Sequence, residues 1–144
     1  MKIRIIFFFV LLSQLLFSQG EASNWYFGDQ AGIKFHPDGS VTALTDGILY
    51  SIEGSSTISD ASGQLLFYTN GTTVCNRNHQ VMPNGDNLLG NFFNSTQSAT
   101  IIQKPGSLNL YYIITIGDYS NNYGLRYSVV DMNLNGGLGD VTSE

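Results

Sequence analysis

Beyond residue 20 the apolar positions do not recur at the spacing of an amphipathic helix. Short runs rich in Tyr, Phe, Ile, Val and Thr alternate with polar turn clusters: "HPDGS", "SDASG", "TNGTT", "KPGS" and "LNGGLGD". That pattern predicts an all-β chain. The opening segment "NWYFGDQAGIKFHPDGSVTAL" offers strands at 24–28, 32–35 and 41–44. The last two are joined at Pro37-Asp38-Gly39, where proline presets φ and glycine accepts a positive one. In "SDASGQ" the Asp60 side chain can bond forward to backbone amides while Gly63 takes the left-handed position, which suits a tight hairpin with a bulge.

One pattern returns. Shifting "SSTISDASGQLLFYTNG" by 43 positions lays Thr57 on Thr100, Ile58 on Ile101, Gly63 on Gly106, Leu65 on Leu108 and Tyr68 on Tyr111. Each copy reads as a Thr-Ile strand, a Gly turn and an aromatic-rich strand, followed by a further strand pair. Four strands at this spacing match a β-propeller blade, whose repeat is typically about 40–45 residues. In "LYYIITI", residues 110–116, apolar groups occupy both parities, which predicts a strand covered on both faces. A two-layer β-sandwich, the alternative fold, usually gives strict inside–outside alternation. The expectation is a partial WD40-like or quinoprotein-like propeller of about three antiparallel four-stranded blades, forming an incomplete ring. Its first blade lacks the leading Thr-Ile strand. Closed rings hold about four to eight blades, so the chain reads as the N-terminal piece of something longer, with the rest of its propeller missing. Such a piece is expected to expose an apolar blade face and to self-associate.

The N-terminus is of another kind. Lys2 and Arg4 precede the apolar run Ile5–Phe17, which has the length of a secretory h-region and falls short of the roughly 20 residues of a membrane span. Ser18 and Gly20 supply small residues for a cut after Gly20, and a cut after Ser18 also fits. Residues 1–20 are therefore expected to be a signal peptide and residues 21–144 the propeller fragment, with no membrane insertion after cleavage. Beyond residue 20, four cationic side chains face eleven acids, a net charge of −7. No basic stripe exists to displace counterions from a phosphate backbone, which argues against a nucleic-acid partner. Cys75 is the single cysteine, so no intramolecular disulfide can form and packing must carry stability.

The segments "NWYFGDQAGIKF", "LTDG", "EGSSTISDASGQLLFYTNG", "NRNHQVMPNG", "LLGN", "STQSATIIQKPGS", "LYYI" and "GLRYSVVDMNLNGGLGDV" span nearly all of residues 24–142. Together they resemble the N-terminal region of large secreted Bacteroidota proteins that carry a C-terminal gliding-motility-associated or type IX secretion type B sorting domain. The resemblance implies an N-terminal propeller and export, then passage to the cell surface or medium. The sorting domain itself has no counterpart here, and without one the implied destination is the periplasm. Cys75 stands where that family usually has a tryptophan.

Candidate chemistry is sparse. His36 and His79 lie in turns with no partner at metal-ligand spacing and read as solvent-facing. Cys75, in strand-like "TTVCN", reads as a small buried hydrophobe rather than a nucleophile. Asp46 and Asp60 are explained by their turns. Glu53 and Asp86 are the carboxylates to test for the alternative function, part of a glycan-active hydrolase, which needs two carboxylates across one site. In "DYSNNYG", Asp118, Asn121 and Asn122 are candidate calcium ligands without the regular loop spacing. Tyr119 and Tyr123 are candidates for stacking on a ligand, whereas Trp25 and Tyr26 read as core. Asn70 and Asn94 begin glycosylation sequons. No catalytic constellation and no cofactor motif emerges. The expected function is a non-catalytic secreted or surface module that binds a protein or polysaccharide partner.

Overall fold

The computed structural model describes residues 20–90, 95–117 and 124–142. Its strands form three antiparallel sheets, each a simple meander, and none closes on itself. The first holds β1 (Asn24–Phe27), β2 (Ala31–Phe35) and β3 (Val41–Leu44). The second holds β4 (Ser56–Ser59), β5 (Leu65–Thr69) and β6 (Val74–Asn76). The third holds β7 (Ala99–Gln103), β8 (Leu110–Ile116), β9 (Leu125–Asp131) and β10 (Asp140–Thr142). Helix among the described residues is limited to single 3₁₀ turns at Gly20–Ala22 and Asn135–Gly137. No helix among them is long and apolar enough to cross a membrane.

The chain is all-β, as its pattern predicts, but only the third sheet has four strands. In the second, the expected last strand shrinks to one bridge, Cys75 with Val81. The first sheet is not missing its leading strand. β1 touches β4 just as β4 touches β7, so β1 occupies that leading place.

The second sheet is the middle layer. Alternation along its paired strands turns Tyr68 and Cys75 toward the first sheet, where they join Tyr26 and Leu49 with Leu44 and Leu65 at the margin. Tyr26 stacks on Tyr68 with ring centroids 4.5 Å apart. From the other face Phe67 and Val74 reach Ala99, Tyr111, Ile113, Val130, Met132 and Val141, and Phe67 meets Tyr111 edge-on at 5.5 Å. Full burial of such side chains stabilises by about 1.5–3 kcal/mol each. β4 also supplies one hydroxyl to each neighbour: the Tyr26 amide donates to Thr57 Oγ1 (2.9 Å), and the Ile101 amide to Ser56 Oγ (3.2 Å).

The strand expected to be covered on both faces, β8, is covered on one. Tyr111, Ile113 and Thr115 are buried, while Tyr112 and Ile114 stand on an uncovered face beside Leu125 (72% exposed) and Tyr127 (50%). The strand that does meet layers on both sides is β5. At the opposite end of the stack Trp25 is 51% exposed, against the expectation of core packing. Register explains it: Trp25 has the parity of Phe27 and pairs with Ile33, on the face turned away from the second sheet, while Tyr26 faces inward.

The repeat is real as two antiparallel hairpins but drifts. Thr57 pairs with Tyr68, whereas Thr100 pairs with Ile114, so the second hairpin is three residues longer. Their turns differ as well. Both close on a backbone bond from fourth residue to first, Gly63 to Asp60 and Ser107 to Lys104, but the first adds Asp60 accepting from the Ser62 and Gln64 amides and a bulge after Ile58. Burial raises the affinity of Asp60 for its proton, but the hydrogen bonds outweigh that and its carboxyl ends below the usual range.

Candidate functional site

The calcium candidates Asp118, Asn121 and Asn122, the stacking candidates Tyr119 and Tyr123, and the sequon at Asn94 lie outside the described residues. Among the described residues no group of three or more His, Cys, Asp or Glu could hold a metal ion. Asn70 is buried, with its Oδ1 accepting from the Thr72 and Thr73 amides and its Nδ2 donating to the Tyr50 carbonyl. It is a turn-former whose amide is engaged within the fold. His36 does sit in an exposed turn, bonded to Thr42 Oγ1 at 2.8 Å.

His79 is mostly covered rather than solvent-facing, with 20% of its side chain exposed. It adopts a positive φ of 57° at its turn, which tips the ring back onto Tyr26 and Tyr68. Its Nδ1 lies 3.0 Å from the Tyr68 hydroxyl and its Nε2 3.4 Å from Asp46 Oδ2. With the proton on Nε2, Tyr68 donates to His79 and accepts from the Ile48 amide (3.2 Å), while Tyr26 donates to Asp46 Oδ1 (2.9 Å). The result is a carboxylate–imidazole–phenol chain along the seam between the first two sheets. The sequence pattern ties Asp46 to its turn alone and does not connect it with His79, because 33 residues separate them and only the stacking of two sheets brings them together.

That chain has the parts of a proton relay but no activated nucleophile at its end. Burial pushes the Tyr68 phenol above its ordinary range, and burial followed by the bond to Asp46 does the same for Tyr26. Cys75, beside Tyr68, is 1% exposed, and burial pushes its thiol up to about 11. Native protein is therefore expected to resist Ellman's reagent at about pH 8, where an unperturbed thiol reacts readily. Denaturant should expose one thiol per chain. Rapid labelling of the native state would contradict this burial.

A more open arrangement lies where the third sheet parts from the loop after β6. It is a cleft of about 480 Å³ lined by Asn84, Asp86, Asn87, Leu88, Leu89 and, from the third sheet, Thr115, Arg126, Tyr127, Ser128, Val141 and Thr142. The loop is fixed before any ligand arrives. Val74 and Gly85, Met82 and Val74, and Leu88 and Thr72 are joined by backbone bonds. Asn84 Nδ2 donates to Asp140 Oδ1 (2.9 Å), and the Val141 amide donates to the Pro83 carbonyl, tying the loop to β10. Asn84 and Asn87 both adopt positive φ, a conformation asparagine tolerates better than most residues. Asp86 Oδ1 accepts from the Asn87 amide (3.0 Å) and from Thr73 Oγ1 (3.4 Å).

The cleft thus combines apolar Leu88, Leu89 and Val141 with amide, carboxylate, guanidinium and hydroxyl groups. Among its described lining residues Asp86 is the single carboxylate. Glu53 does not line it and instead accepts from Thr96 Oγ1 at 3.4 Å. Among the described residues of this cleft the pair that hydrolysis of a glycosidic bond requires is not assembled. Of these residues the sequence points only to Asp86. The turn-rich "MPNGDN" and alternating "LRYS" carry the signal for the others, but their meeting depends on how β10 is tied to the loop. Comparison with family models, with curated proteins and with solved structures gives no match.

Proposed function

We propose that this chain is a non-catalytic, exported, propeller-like module that binds a polysaccharide in the cleft between the third sheet and the loop 81–90. The carrying observation is the cleft itself. Preset Asn84, Asp86 and Asn87 lie opposite Arg126, with Leu88, Leu89 and Val141 between them. Planar hydrogen-bonding groups next to apolar side chains suit a sugar, whose hydroxyls need partners and whose C–H face needs an apolar surface. Supporting the propeller-like arrangement, backbone contacts between successive sheets run from first strand to first strand, β1 to β4 to β7, as in blades sharing an inner edge. In this reading residues 1–20 are removed on export. Delivery to the surface or medium, or retention in the periplasm, follows from the resemblance to Bacteroidota proteins of gliding motility and type IX secretion.

Titration of the full chain, recovered after export, against a panel of bacterial and plant polysaccharides tests the proposal. Arg126→Ala and Asp86→Ala should each weaken the best ligand at least about tenfold, equivalent to about 1.4 kcal/mol. Their melting temperatures should stay near that of the parent. Undiminished binding in both variants, or release of sugar by the parent, would overturn the assignment.

A further inference from the structure

The three-layer stack ends in two uncovered faces of opposite sense. On the first sheet the outward parity is apolar throughout: Trp25 and Phe27 on β1, Ala31, Ile33 and Phe35 on β2, Val41 and Ala43 on β3. A groove of about 560 Å³ opens where β1 meets the β4 edge of the second sheet, lined by Trp25, Phe27 and Ile33 of this face together with Tyr26, Ser55, Ser56 and Thr57. On the third sheet the outward parity brings together Ile102, Tyr112, Ile114, Ile116, Leu125 and Tyr127, and Tyr112 meets Tyr127 edge-on at 5.7 Å. Apolar faces of this extent are unusual on an isolated soluble chain.

Each internal junction already shows how such faces are covered. The second sheet packs on the side of the first sheet that looks along the stack, and the third packs on the matching side of the second. The outward face of the third sheet is the next in that series, and the outward face of the first is the kind that receives it. Charge agrees with the pairing. Lys104 Nζ lies 5.9 Å from the Tyr112 ring on the third sheet's face, and Arg126 borders the same patch. The turns at the strand ends of the first sheet carry Asp29 and Asp38, while Lys34 stands on the side of that sheet opposite its outward face. Asp131, at the far end of β9, accepts from Asn133 in its own turn.

We infer that two copies of this chain close on one another head to tail. The third sheet of each packs on the first sheet of the other, giving a ring of six sheets. The inference rests on the propeller-like reading. A head-to-tail contact closes only if its rotation completes a circle; two such contacts related by a twofold axis do so, and about four to eight sheets is the range that closes. Trp25 is the expected anchor, as a large, half-exposed aromatic on the covered face.

Sedimentation velocity and native mass spectrometry on the full chain, recovered after export, should give twice the chain mass. Trp25→Glu and Leu125→Glu should each raise the dimer dissociation constant at least about thirtyfold. Mixing the two variants should restore a pair. The Leu125→Glu copy keeps an intact first sheet and the Trp25→Glu copy an intact third sheet, so one sound contact forms. A monomeric parent, which a continuation of the chain over the third sheet would produce, overturns the inference. So does an open-ended series of oligomers. So does a Leu125→Glu variant that stays dimeric, since that would indicate a face-to-face contact through the first sheet alone. Neither Trp25 nor Leu125 lines the polysaccharide cleft, so binding is read independently. Binding retained by a monomer removes the ring alone, and a dimer that binds no glycan removes the cleft assignment alone.

Discussion

Replacing Phe67 by alanine is expected to cost about 3–5 kcal/mol, a large fraction of the roughly 5–15 kcal/mol that stabilises a typical domain. Phe67 is 0% exposed, sits at the centre of the middle layer and meets Tyr111 across the interface with the third sheet. Truncation leaves a cavity between two sheets whose positions are fixed by β4 hydroxyls and by the loop bonds to β10, so neither can move in to fill it. The measurement is urea unfolding of parent and variant under conditions that hold the oligomeric state constant. A loss below about 1 kcal/mol would mean that the second and third sheets do not enclose this ring.

Gly71→Ala is expected to cost about 2–4 kcal/mol, from two causes that a control can separate. Gly71 has φ +92°, and a β-carbon there would stand 2.8 Å from the carbonyl oxygen of Ser98, a backbone atom that cannot swing aside. This is where loops of the second and third sheets cross. Gly90 donates to the Gly71 carbonyl, and Ser98 Oγ donates to Gly54. Gly39, with φ +84°, has open space within 4 Å of where a β-carbon would stand, so Gly39→Ala carries the backbone strain without the collision. Thermal melts should show the Gly71 variant losing at least about twice as much as the Gly39 variant. Equal losses would assign the whole effect to strain and leave the crossing without a role.

What the sequence makes legible is what depends on neighbours in the chain. Residues 41–44 form the strand expected, the Pro37-Asp38-Gly39 turn joins β2 to β3, and alternation places Tyr26 inward. Features decided by contact between sheets are less legible. Trp25 and Tyr26 are adjacent aromatics with equal claim to a core, and only the side on which the second sheet lies separates them. The apolar run of β8 suggests a strand enclosed on both faces because composition records how sticky a face is, not whether anything covers it. Tyr68 and Tyr111 match at a constant offset, yet a longer hairpin with a different turn gives the place opposite Thr100 to Ile114. At the cleft, Asp86 is visible as a carboxylate, whereas Arg126 gains meaning from the bond between Asn84 and Asp140, which joins segments 56 residues apart.

Each strand pairs only with strands next to it in the chain, three or four at a time. The entropy lost in closing such short loops is small, so each meander can assemble from one brief stretch of polypeptide as it emerges. Contacts between residues distant in sequence are then confined to one kind of event, the docking of finished layers through Tyr26 on Tyr68 and Phe67 on Tyr111.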